Sequence, residues 1–382
     1  MTLRWRIDGA PDAPVLVLLN SVGSTTDMWA PVVGSLAEQF RVVRIDHRGH
    51  GDSPLSPAGT ECTLADLSAD VIEVLDELGL DRVYLAGLSL GGMTGMWLAI
   101  HHPDRIKRLA LLCTSAAMVS DTYAERAQMV RTEGMRAAVD RIVGRWLTVG
   151  TAERDPDLVV ALRAMVLSID AESYAQCCEA IAAMDLRADL GRIAAPTIVI
   201  AGRQDSATPP EHGALIANGI PGARLELLDN AAHLATLEQP GRIGMLLLEH
   251  FRAGATLERG YSTRRAVLGD EHVDRTIAST TALTEPFQEF ITRYAWGDVW
   301  SRPELALRER SIATLAALVA LGAEHELAMH VRAARRNGLT PEDIVEVFLH
   351  TALYAGLPRA NRAITIAREV LTSSDQLNHP SP

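Results

Sequence analysis

Residues 83–92, VYLAGLSLGG, decide the fold of the first part of this 382-residue chain. A short apolar run, VYLA, leads into the pattern G-x-S-x-G, and the helical sequence GMTGMWLAIHH follows it. Glycines on both sides of Ser89 permit a tight turn that exposes the serine hydroxyl, which is the geometry of a nucleophile elbow. The motif alone could be a glycine-rich turn without chemistry, but the strand before it and the helix after it favour catalysis.

Similar apolar runs recur along the first 250 residues, and turn residues bound most of them. They lie at Val15–Asn20, Val42–Asp46, Val83–Ala86, Leu109–Cys113 and Thr197–Ala201. Continuous apolar runs are typical of parallel strands that are buried on both faces. Helical sequence, such as Leu64–Leu78 and Gly92–His101, lies between them. The alternation predicts a doubly wound α/β domain.

A serine nucleophile requires a base, and the base requires an acid that orients it. In a fold with a nucleophile elbow the chain order is serine, acid, histidine, and the acid follows a late strand. Asp205 follows the apolar run TIVIAG, and His233 lies in DNAAHLATLEQP after the strand-like ARLELL. We therefore predict that Ser89 attacks, that His233 takes its proton and that Asp205 holds the imidazole.

Acyl transfer also requires an oxyanion hole with two hydrogen-bond donors. The backbone N–H of Leu90, directly after the nucleophile, is one predicted donor. The second is expected from the loop after the first apolar strand, Asn20-Ser21-Val22-Gly23. The amide of Val22 is favoured, and that of Ser21 is the alternative.

Residues 1–252 resemble the α/β-hydrolases, and among them the 3-oxoadipate enol-lactone hydrolases. The resemblance rests on five segments: LLNSVGSTTDMW, DHRGHGDS, LAGLSLGGM, IAGRQDSATPP and AAHLATLEQP. The first and last are the more specific, since esterases and haloperoxidases share the others. Many relatives carry His-Gly where this chain has Asn20-Ser21. The resemblance implies an α/β-hydrolase fold and an enzyme that hydrolyses a carboxylated lactone.

The mostly helical residues 116–190 interrupt the strand–helix rhythm where such hydrolases carry a cap over the pocket. A lactone that bears a carboxylate requires an arginine to pair with it. Arg145 and Trp146 are the chosen candidates for substrate binding among several cap arginines. A solvated helix face is the alternative for each arginine.

The last part of the chain contains helical patterns and no competing strand pattern. We expect a linker at residues 253–258, an all-α domain at 259–372 and a flexible tail at 373–382. Glycines that follow the helical segments are helix stop signals, and Thr340-Pro341 is a helix start signal.

The segment His325-Glu326-Leu327-Ala328-Met329-His330 is one residue too long for the zinc motif H-E-x-x-H. The two histidines point about 140° apart on a helix, so they cannot easily share a metal. Glu326 and His330 are four residues apart and share a face. They can form an acid–base pair, and a surface pair without function is the alternative.

Residues 259–372 resemble the carboxymuconolactone decarboxylases. The segments VLGDEHVDR, FQEFITRYAWGDVW and EHELAMHVRAARRNGLTPEDIVEVFLHTALYAGLP carry this resemblance. A peroxidase branch of the wider family has C-x-x-C where this chain has Ala323 and Glu326, so thiol chemistry is not expected. The resemblance also implies a homo-oligomer, because relatives form ring-like assemblies.

Decarboxylation of a carboxymuconolactone requires no cofactor and no metal, because the electrons can flow into the conjugated lactone carbonyl. The site requires positive charge near the lactone oxygens and an acid that returns a proton to carbon. We assign Glu326 and His330 to the proton. Further candidates from motif density are Arg310 and His350 for substrate binding, and Tyr354 and Trp296 for the pocket lining. Core packing is the alternative for His350 and Tyr354.

The two implied reactions are consecutive, because the decarboxylase product is the substrate of the hydrolase. The sequence therefore predicts a bifunctional enzyme of the protocatechuate branch of the 3-oxoadipate pathway. One rival is a monofunctional hydrolase or esterase whose last domain only oligomerises. Another rival is a binding module that has lost catalysis.

Composition excludes several other classes of function. The net charge is −12, and neither half is basic, so nucleic-acid binding is not expected. Lys107 is the only lysine, which limits amine chemistry. The four cysteines form no C-x-x-C pattern, which fits a reducing compartment. We expect a cytoplasmic protein without a membrane partner, since no signal-peptide pattern or apolar run of about 18 residues occurs.

Overall fold

The computed structural model describes residues 3–55 and 59–378. The chain divides into two compact units, Met1–Arg252 and Ala253–Pro382. Within the described residues no helix combines the length and the apolar composition that crossing a membrane requires.

The described part of the first unit is built around a seven-stranded sheet in the order β1-β3-β2-β4-β5-β6-β7. The strands are β1 (Trp5–Asp8), β2 (Val15–Leu19), β3 (Arg41–Ile45), β4 (Val83–Leu88), β5 (Ile106–Leu112), β6 (Thr197–Gly202) and β7 (Arg224–Leu228). β1 pairs antiparallel with β3, and the other neighbours pair parallel. All six residues of β4 are buried, as expected for the centre of a parallel sheet.

The sequence patterns located every parallel strand but did not indicate β1. Its four residues, WRID, are only partly buried or exposed, so they lack the apolar run that marks the other strands. β1 is an antiparallel strand at the edge of the sheet. A strand in this position can have a face exposed to solvent, so it does not require a continuous apolar run.

Helices alternate with most of these strands along the chain. Those outside the predicted cap are α1 (Ala30–Ala37), α2 (Leu64–Glu77), α3 (Leu90–His101), α9 (Pro210–Gly219), α10 (Ala235–Glu238) and α11 (Pro240–Leu268). Short 3₁₀ helices lie at Thr26–Trp29, Pro103–Arg105 and Leu190–Arg192. The α/β-hydrolase architecture predicted from the sequence is therefore present.

Between β5 and β6, in the segment predicted to form the cap, the chain is largely helical. Its helices are α4 (Ser120–Glu133), α5 (Met135–Val143), α6 (Val149–Arg154), α7 (Pro156–Leu167) and α8 (Ala171–Ala183). Arg131 on α4 forms ion pairs with Glu172 and Glu179 on α8, so these two helices are joined by charge as well as packing.

The second unit is helical throughout its described residues. Its helices are α12 (Asp270–Ala278), α13 (Glu285–Ile291), a π-helix (Thr292–Trp300), α14 (Leu307–Leu321), α15 (Glu324–Arg336), α16 (Pro341–Ala355) and α17 (Leu357–Asn378). Helices α14 to α17 enclose a core that includes the fully buried Leu315, Val331 and Phe348. This is the all-α architecture that the sequence predicted.

The expected linker and tail differ from the structure. Residues 253–258, the expected linker, lie within the continuous helix α11. These residues, AGATLE, contain strong helix formers and no proline, so their one glycine, Gly254, does not break the helix. Residues 373–378 of the expected tail continue α17, and residues 379–382 lie outside the described residues.

A pair of glycine substitutions tests how tightly the sheet packs beneath the nucleophile. A Cβ at Gly91 would lie 2.3 Å from the backbone oxygen of Leu19, whereas one at exposed Gly34 in α1 meets nothing within 4 Å. Gly91→Ala is expected to destabilise the fold by about 1–3 kcal/mol through overpacking. Gly34→Ala is expected to stabilise it by about 0.5–1 kcal/mol, since alanine is the better helix residue. Thermal unfolding followed by circular dichroism measures both, and a wild-type midpoint for Gly91→Ala would contradict the account.

Candidate active site

Ser89 lies at the junction of β4 and α3 in a strained backbone conformation. Its φ is 56° and its ψ is −115°, values that non-glycine residues adopt only where the surroundings enforce them. Here the surroundings do so, because a Cβ at Gly87 would lie 2.1 Å from the oxygen of Gly91. The turn is anchored by the Ser89 amide, which donates to the oxygen of Leu112 at 2.9 Å. The chain thus raises one side chain above the carboxyl ends of the parallel strands.

Asp205 and His233 form a buried hydrogen-bonded pair. The His233 Nδ1 and the Asp205 Oδ2 are 2.9 Å apart, and both residues are 3% exposed. Asp205 also accepts from the Thr208 hydroxyl at 2.7 Å and from the Ala207 and Thr208 amides. Burial raises the pKa of Asp205, but the charge of His233 and these hydrogen bonds outweigh it, so the net shift is downward. The aspartate is held ionised beside the imidazole.

The remaining nitrogen of His233 faces the pocket that Ser89 lines. Ser89, His233, Ser21 and Val22 all line one narrow cavity of about 20 Å³, which is room for about one water molecule. In this state the Nε2 of His233 lies 3.5 Å from the hydroxyl of Ser21. The structure therefore brings the three predicted triad residues to one site, and a second hydroxyl lies beside the base.

The loop after β2 distinguishes the two candidates for the second oxyanion donor. The Ser21 amide points at the Sδ of Met28 at 3.4 Å, and the Gly23 amide donates to the Nε2 of His50 at 3.0 Å. Within the described residues the Val22 amide between them has no acceptor. Leu90 is the first residue of α3, so its N–H also lies outside the intrahelical ladder. The geometry favours Val22 over Ser21.

Arg145 and Trp146 both line the same cavity. The Nη2 of Arg145 donates to the backbone oxygen of Ser206 at 2.7 Å. Trp146 is 3% exposed, and its backbone oxygen accepts from the Leu234 amide at 2.9 Å. Arg145 thus ties the cap to the loop of Asp205, and Trp146 supplies apolar wall.

Three further cavity residues with polar side chains escaped the sequence interpretation: Tyr123, Arg126 and Tyr174. On α4, Tyr123, Ala127 and Val130 are buried, which is the i, i+4, i+7 spacing of an inward face. Arg126 lies three residues after Tyr123 and belongs to that face. Helical spacing could have distinguished it from the solvated cap arginines.

In the second unit, Glu326 and His330 lie four residues apart on α15, as predicted. Glu326 is exposed and His330 is half-buried, and the His330 ring stacks near Trp300 with centroids 6.4 Å apart. Burial lowers the pKa of His330, and so does His272, although the charge of Glu326 acts in the opposite direction. The imidazole is therefore neutral at pH 7 and has a carboxylate neighbour.

The other four candidates of this unit have different environments. Trp296 is 5% exposed and packs with Trp300 in an apolar cluster. Arg310 is half-buried, and its Nη2 donates to the backbone oxygen of Arg302. His350 and Tyr354 contact each other on α16 but are exposed, Tyr354 by 81%. The structure therefore does not place these two in a pocket or core of the single chain.

Two residues that the sequence did not single out lie near His330. His272 on α12 influences the pKa of His330, and Arg264 on α11 influences that of His272. Arg264 is 7% exposed, and its Nη1 donates to the side chains of Gln288 and Thr292. Only packing between α11, α12 and α15 brings these positions together, so no local motif marks them. Within the described residues no cluster of three His, Cys, Asp or Glu side chains is arranged to hold a metal ion.

Both units match known families. Residues 14–140 match the family model described as alpha/beta hydrolase fold, and residues 285–369 match that of the carboxymuconolactone decarboxylase family. The chain is 36% identical to 3-oxoadipate enol-lactonase 2 of Acinetobacter baylyi over 242 residues, which are 63% of this chain and 89% of the relative. It is 48% identical to 4-carboxymuconolactone decarboxylase of the same organism over 113 residues, which are 30% of this chain and 84% of the relative.

A solved structure is similar to the first unit. The crystal structure of the enol-lactonase from Burkholderia xenovorans LB400 aligns with a TM-score of 0.63 and 39% identity. The alignment covers 65% of this chain and 96% of that chain.

His50 makes stability depend on pH, because its neutral ring supports the oxyanion loop. Its Nδ1 lies 2.9 Å from the Arg48 oxygen and must donate, so its Nε2 is free to accept from the Gly23 amide. Burial lowers the pKa of His50 to about 4, whereas an unfolded histidine titrates near ~6.5. The unfolded chain binds more protons between these values, so stability falls as the pH drops below about 6.5.

We expect His50→Gln to reduce the loss of unfolding free energy between pH 7.5 and 5.5 by about 1 kcal/mol relative to wild type. Urea unfolding at the two pH values measures the difference. Other buried histidines contribute to the wild-type slope, so the comparison between the two proteins is the readout. Equal pH slopes for both proteins would contradict the role of His50.

Proposed function

We propose that this chain, which belongs to the 3-oxoadipate enol-lactonases in its first part and to the carboxymuconolactone decarboxylase family in its last part, catalyses two consecutive reactions. It converts 4-carboxymuconolactone to 3-oxoadipate enol-lactone with loss of carbon dioxide, and it hydrolyses the enol-lactone to 3-oxoadipate. One observation carries the proposal: the two relatives named for these reactions match separate, consecutive parts of one polypeptide. The enzyme is thus both a lyase and a hydrolase of the 3-oxoadipate pathway.

For hydrolysis, we assign the first chemical step to Ser89. His233 accepts the serine proton as the Ser89 oxygen attacks the lactone carbonyl, and Asp205 holds the imidazolium through its Nδ1. The amides of Leu90 and Val22 bind the developing oxyanion. The ring opens to an acyl-serine and an enol, and the enol tautomerises to the ketone. Water, deprotonated by His233, then releases the second carboxylate and regenerates Ser89.

The cavity of about 20 Å³ holds about one water molecule, so we propose that the cap helices shift to admit the lactone. Tyr123 and Arg126 belong to α4 and Tyr174 belongs to α8, so a movement of these two helices repositions three of the residues that line the cavity. Return of the helices after the substrate has entered would exclude water other than the molecule used for deacylation.

For decarboxylation, the carbon–carboxylate bond of the lactone breaks and its electron pair moves into the conjugated carbonyl. Glu326 and His330 form the pair that delivers a proton to the carbon, and solvent replaces this proton. His330 is neutral at rest and first takes a proton from solvent, and the Glu326 carboxylate on the same helix face stabilises the imidazolium. The imidazolium then gives this proton to the carbon, which leaves the imidazole neutral again. Arg310 and the buried Arg264 are the cations that we assign to the substrate carboxylates in this unit, with Trp296 in the apolar wall.

We also propose that a second copy of the chain covers the apolar faces of the second unit. On α16, Leu349, Leu353 and Tyr354 are between 51% and 81% exposed. On α13, Phe287 and Phe290 are 63% and 57% exposed. Contiguous apolar side chains of this kind mark protein–protein contacts. His350 lies on the same α16 face, so a partner copy would also enclose the candidate residues that the single chain leaves open.

A cytoplasmic location is proposed as well. Among the described residues the four cysteines are buried and free of disulfides, which fits a reducing compartment.

Ser89→Ala tests the assignment of the hydrolase site. With 4-carboxymuconolactone as substrate, the variant is expected to release carbon dioxide at the wild-type rate and to accumulate the enol-lactone. Removal of a serine nucleophile typically lowers turnover by about 10³-fold or more. Chromatography of the products over time, corrected for spontaneous lactone hydrolysis, measures both reactions. Formation of 3-oxoadipate by the variant at the wild-type rate would show that Ser89 is not the nucleophile.

His330→Ala tests the decarboxylase site, with His325→Ala as a control on the same helix. The first variant is expected to lower carbon dioxide release by about 100-fold or more, since general acid–base groups contribute factors of 10²–10⁴. It should still hydrolyse added enol-lactone. His325 is exposed and faces another side of α15, so its variant should retain both activities. Normal carbon dioxide release by His330→Ala would remove His330 from the mechanism.

A further inference from the structure

Arg126 is a buried cation in the hydrolase cavity and has no carboxylate partner among the described residues. Four arginines are buried in the described chain: Arg44, Arg48, Arg126 and Arg264. Arg44 and Arg48 form ion pairs with Asp8 and Asp70, at 2.8 Å and 2.6 Å. Arg126 is 7% exposed, and its Nε lacks a hydrogen-bond partner in the described residues. An unpaired buried charge is costly, so this position is not explained by stability.

The immediate neighbours of Arg126 are aromatic. Its guanidinium carbon lies 4.6 Å from the centroid of the Tyr123 ring, and its charge also interacts with the phenol of Tyr174. The Tyr174 hydroxyl is buried and likewise lacks a hydrogen-bond partner in the described part of the chain. A guanidinium and a phenol that interact with each other, and with no carboxylate in the described residues, therefore both line the cavity.

The structural arginine of the same helix has a different environment. Arg131 on α4 is joined to two glutamates of α8 and is more exposed than Arg126. It fixes α4 to α8, so Arg126 is not needed for that purpose. Arg145, the cavity arginine favoured by the sequence, donates to the Ser206 oxygen. Arg126 is therefore the cavity arginine whose capacity to bind an anion is least used by the protein.

Ser89 and His233 line the same cavity as Arg126. The product of the proposed hydrolysis, 3-oxoadipate, carries two carboxylates. In the enol-lactone, one of these two carboxyl groups is the ester of the ring. The enol-lactone therefore presents one free carboxylate to the protein. A guanidinium binds a carboxylate through charge-assisted, often bidentate hydrogen bonds.

We propose that Arg126, aided by the Tyr174 hydroxyl, binds the free carboxylate of the lactone and makes the hydrolase selective for anionic substrates. This inference rests on the proposed function and extends it by naming the residue that selects the substrate. Arg126 is a binding residue, since Ser89 and His233 carry the bond changes. Burial of the unpaired Arg126 destabilises the free enzyme, and the proposed ion pair with the substrate carboxylate forms only when the substrate is bound.

The test uses the full-length chain and compares the enol-lactone with a neutral ester, p-nitrophenyl acetate. Arg126→Met is expected to lower the ratio of the two kcat/KM values about 100-fold, the range for loss of hydrogen bonds to a charged group. Arg126→Lys should restore part of the ratio, since it returns the charge without the planar fork. Arg131→Met, the matched control on α4, should leave the ratio at the wild-type value.

Two results would overturn the proposal. One is that Arg126→Met leaves the ratio unchanged, and the other is that it lowers both kcat/KM values equally together with the thermal midpoint, as a structural residue would. The proposal instead predicts a midpoint at or above that of wild type, because an unpaired buried charge has been removed.

Inhibition of p-nitrophenyl acetate hydrolysis by adipate separates this proposal from the enol-lactonase assignment. If wild type does not hydrolyse the enol-lactone, the proposed function is wrong, but adipate still reports on Arg126. The inhibition constant is expected to rise about 100-fold in Arg126→Met. An unchanged constant would show that Arg126 binds no carboxylate.

Discussion

The backbone conformation of Ser89 is the constraint on which the hydrolase unit depends. A positive φ at this serine is tolerated because the turn is clamped between β4, α3 and the end of β2. A side chain at Gly87 would clash with the backbone of Gly91, and a side chain at Gly91 would clash with the backbone of Leu19. The Gly91 amide donates to the oxygen of Asn20 at 2.9 Å, so the same contact positions the loop that carries Val22. Nucleophile and oxyanion donors are thus placed by one piece of packing.

Much of this arrangement could be predicted from the sequence because its signals are local. Apolar runs mark the parallel strands, and the G-x-S-x-G turn marks the nucleophile. Chain order then identifies Asp205 and His233. β1 and the helix through residues 253–258 were missed for opposite reasons, since one has little apolar signal and the other continues a helix where the change of family suggested a break. Arg126 and Arg264 were missed because a buried cation is recognised by its surroundings, which only the fold supplies.

The charges of the chain fit its proposed substrates. An acidic protein repels anions in general, so a binding site for a carboxylated lactone requires local positive charge. Arg44 and Arg48 are neutralised by aspartates, whereas Arg126 and Arg264 are buried beside neutral groups. Each unit thus keeps one buried guanidinium that the protein itself does not neutralise. Arginine suits this purpose because it stays protonated when buried.

The central claim is that one polypeptide carries two consecutive activities. The most direct measurement supplies the purified full-length chain with 4-carboxymuconolactone and quantifies carbon dioxide and 3-oxoadipate in the same sample. The account predicts equal amounts of the two products, formed faster than the enol-lactone hydrolyses spontaneously. Carbon dioxide accompanied by enol-lactone that decays only at the spontaneous rate would contradict it, and so would the absence of carbon dioxide release.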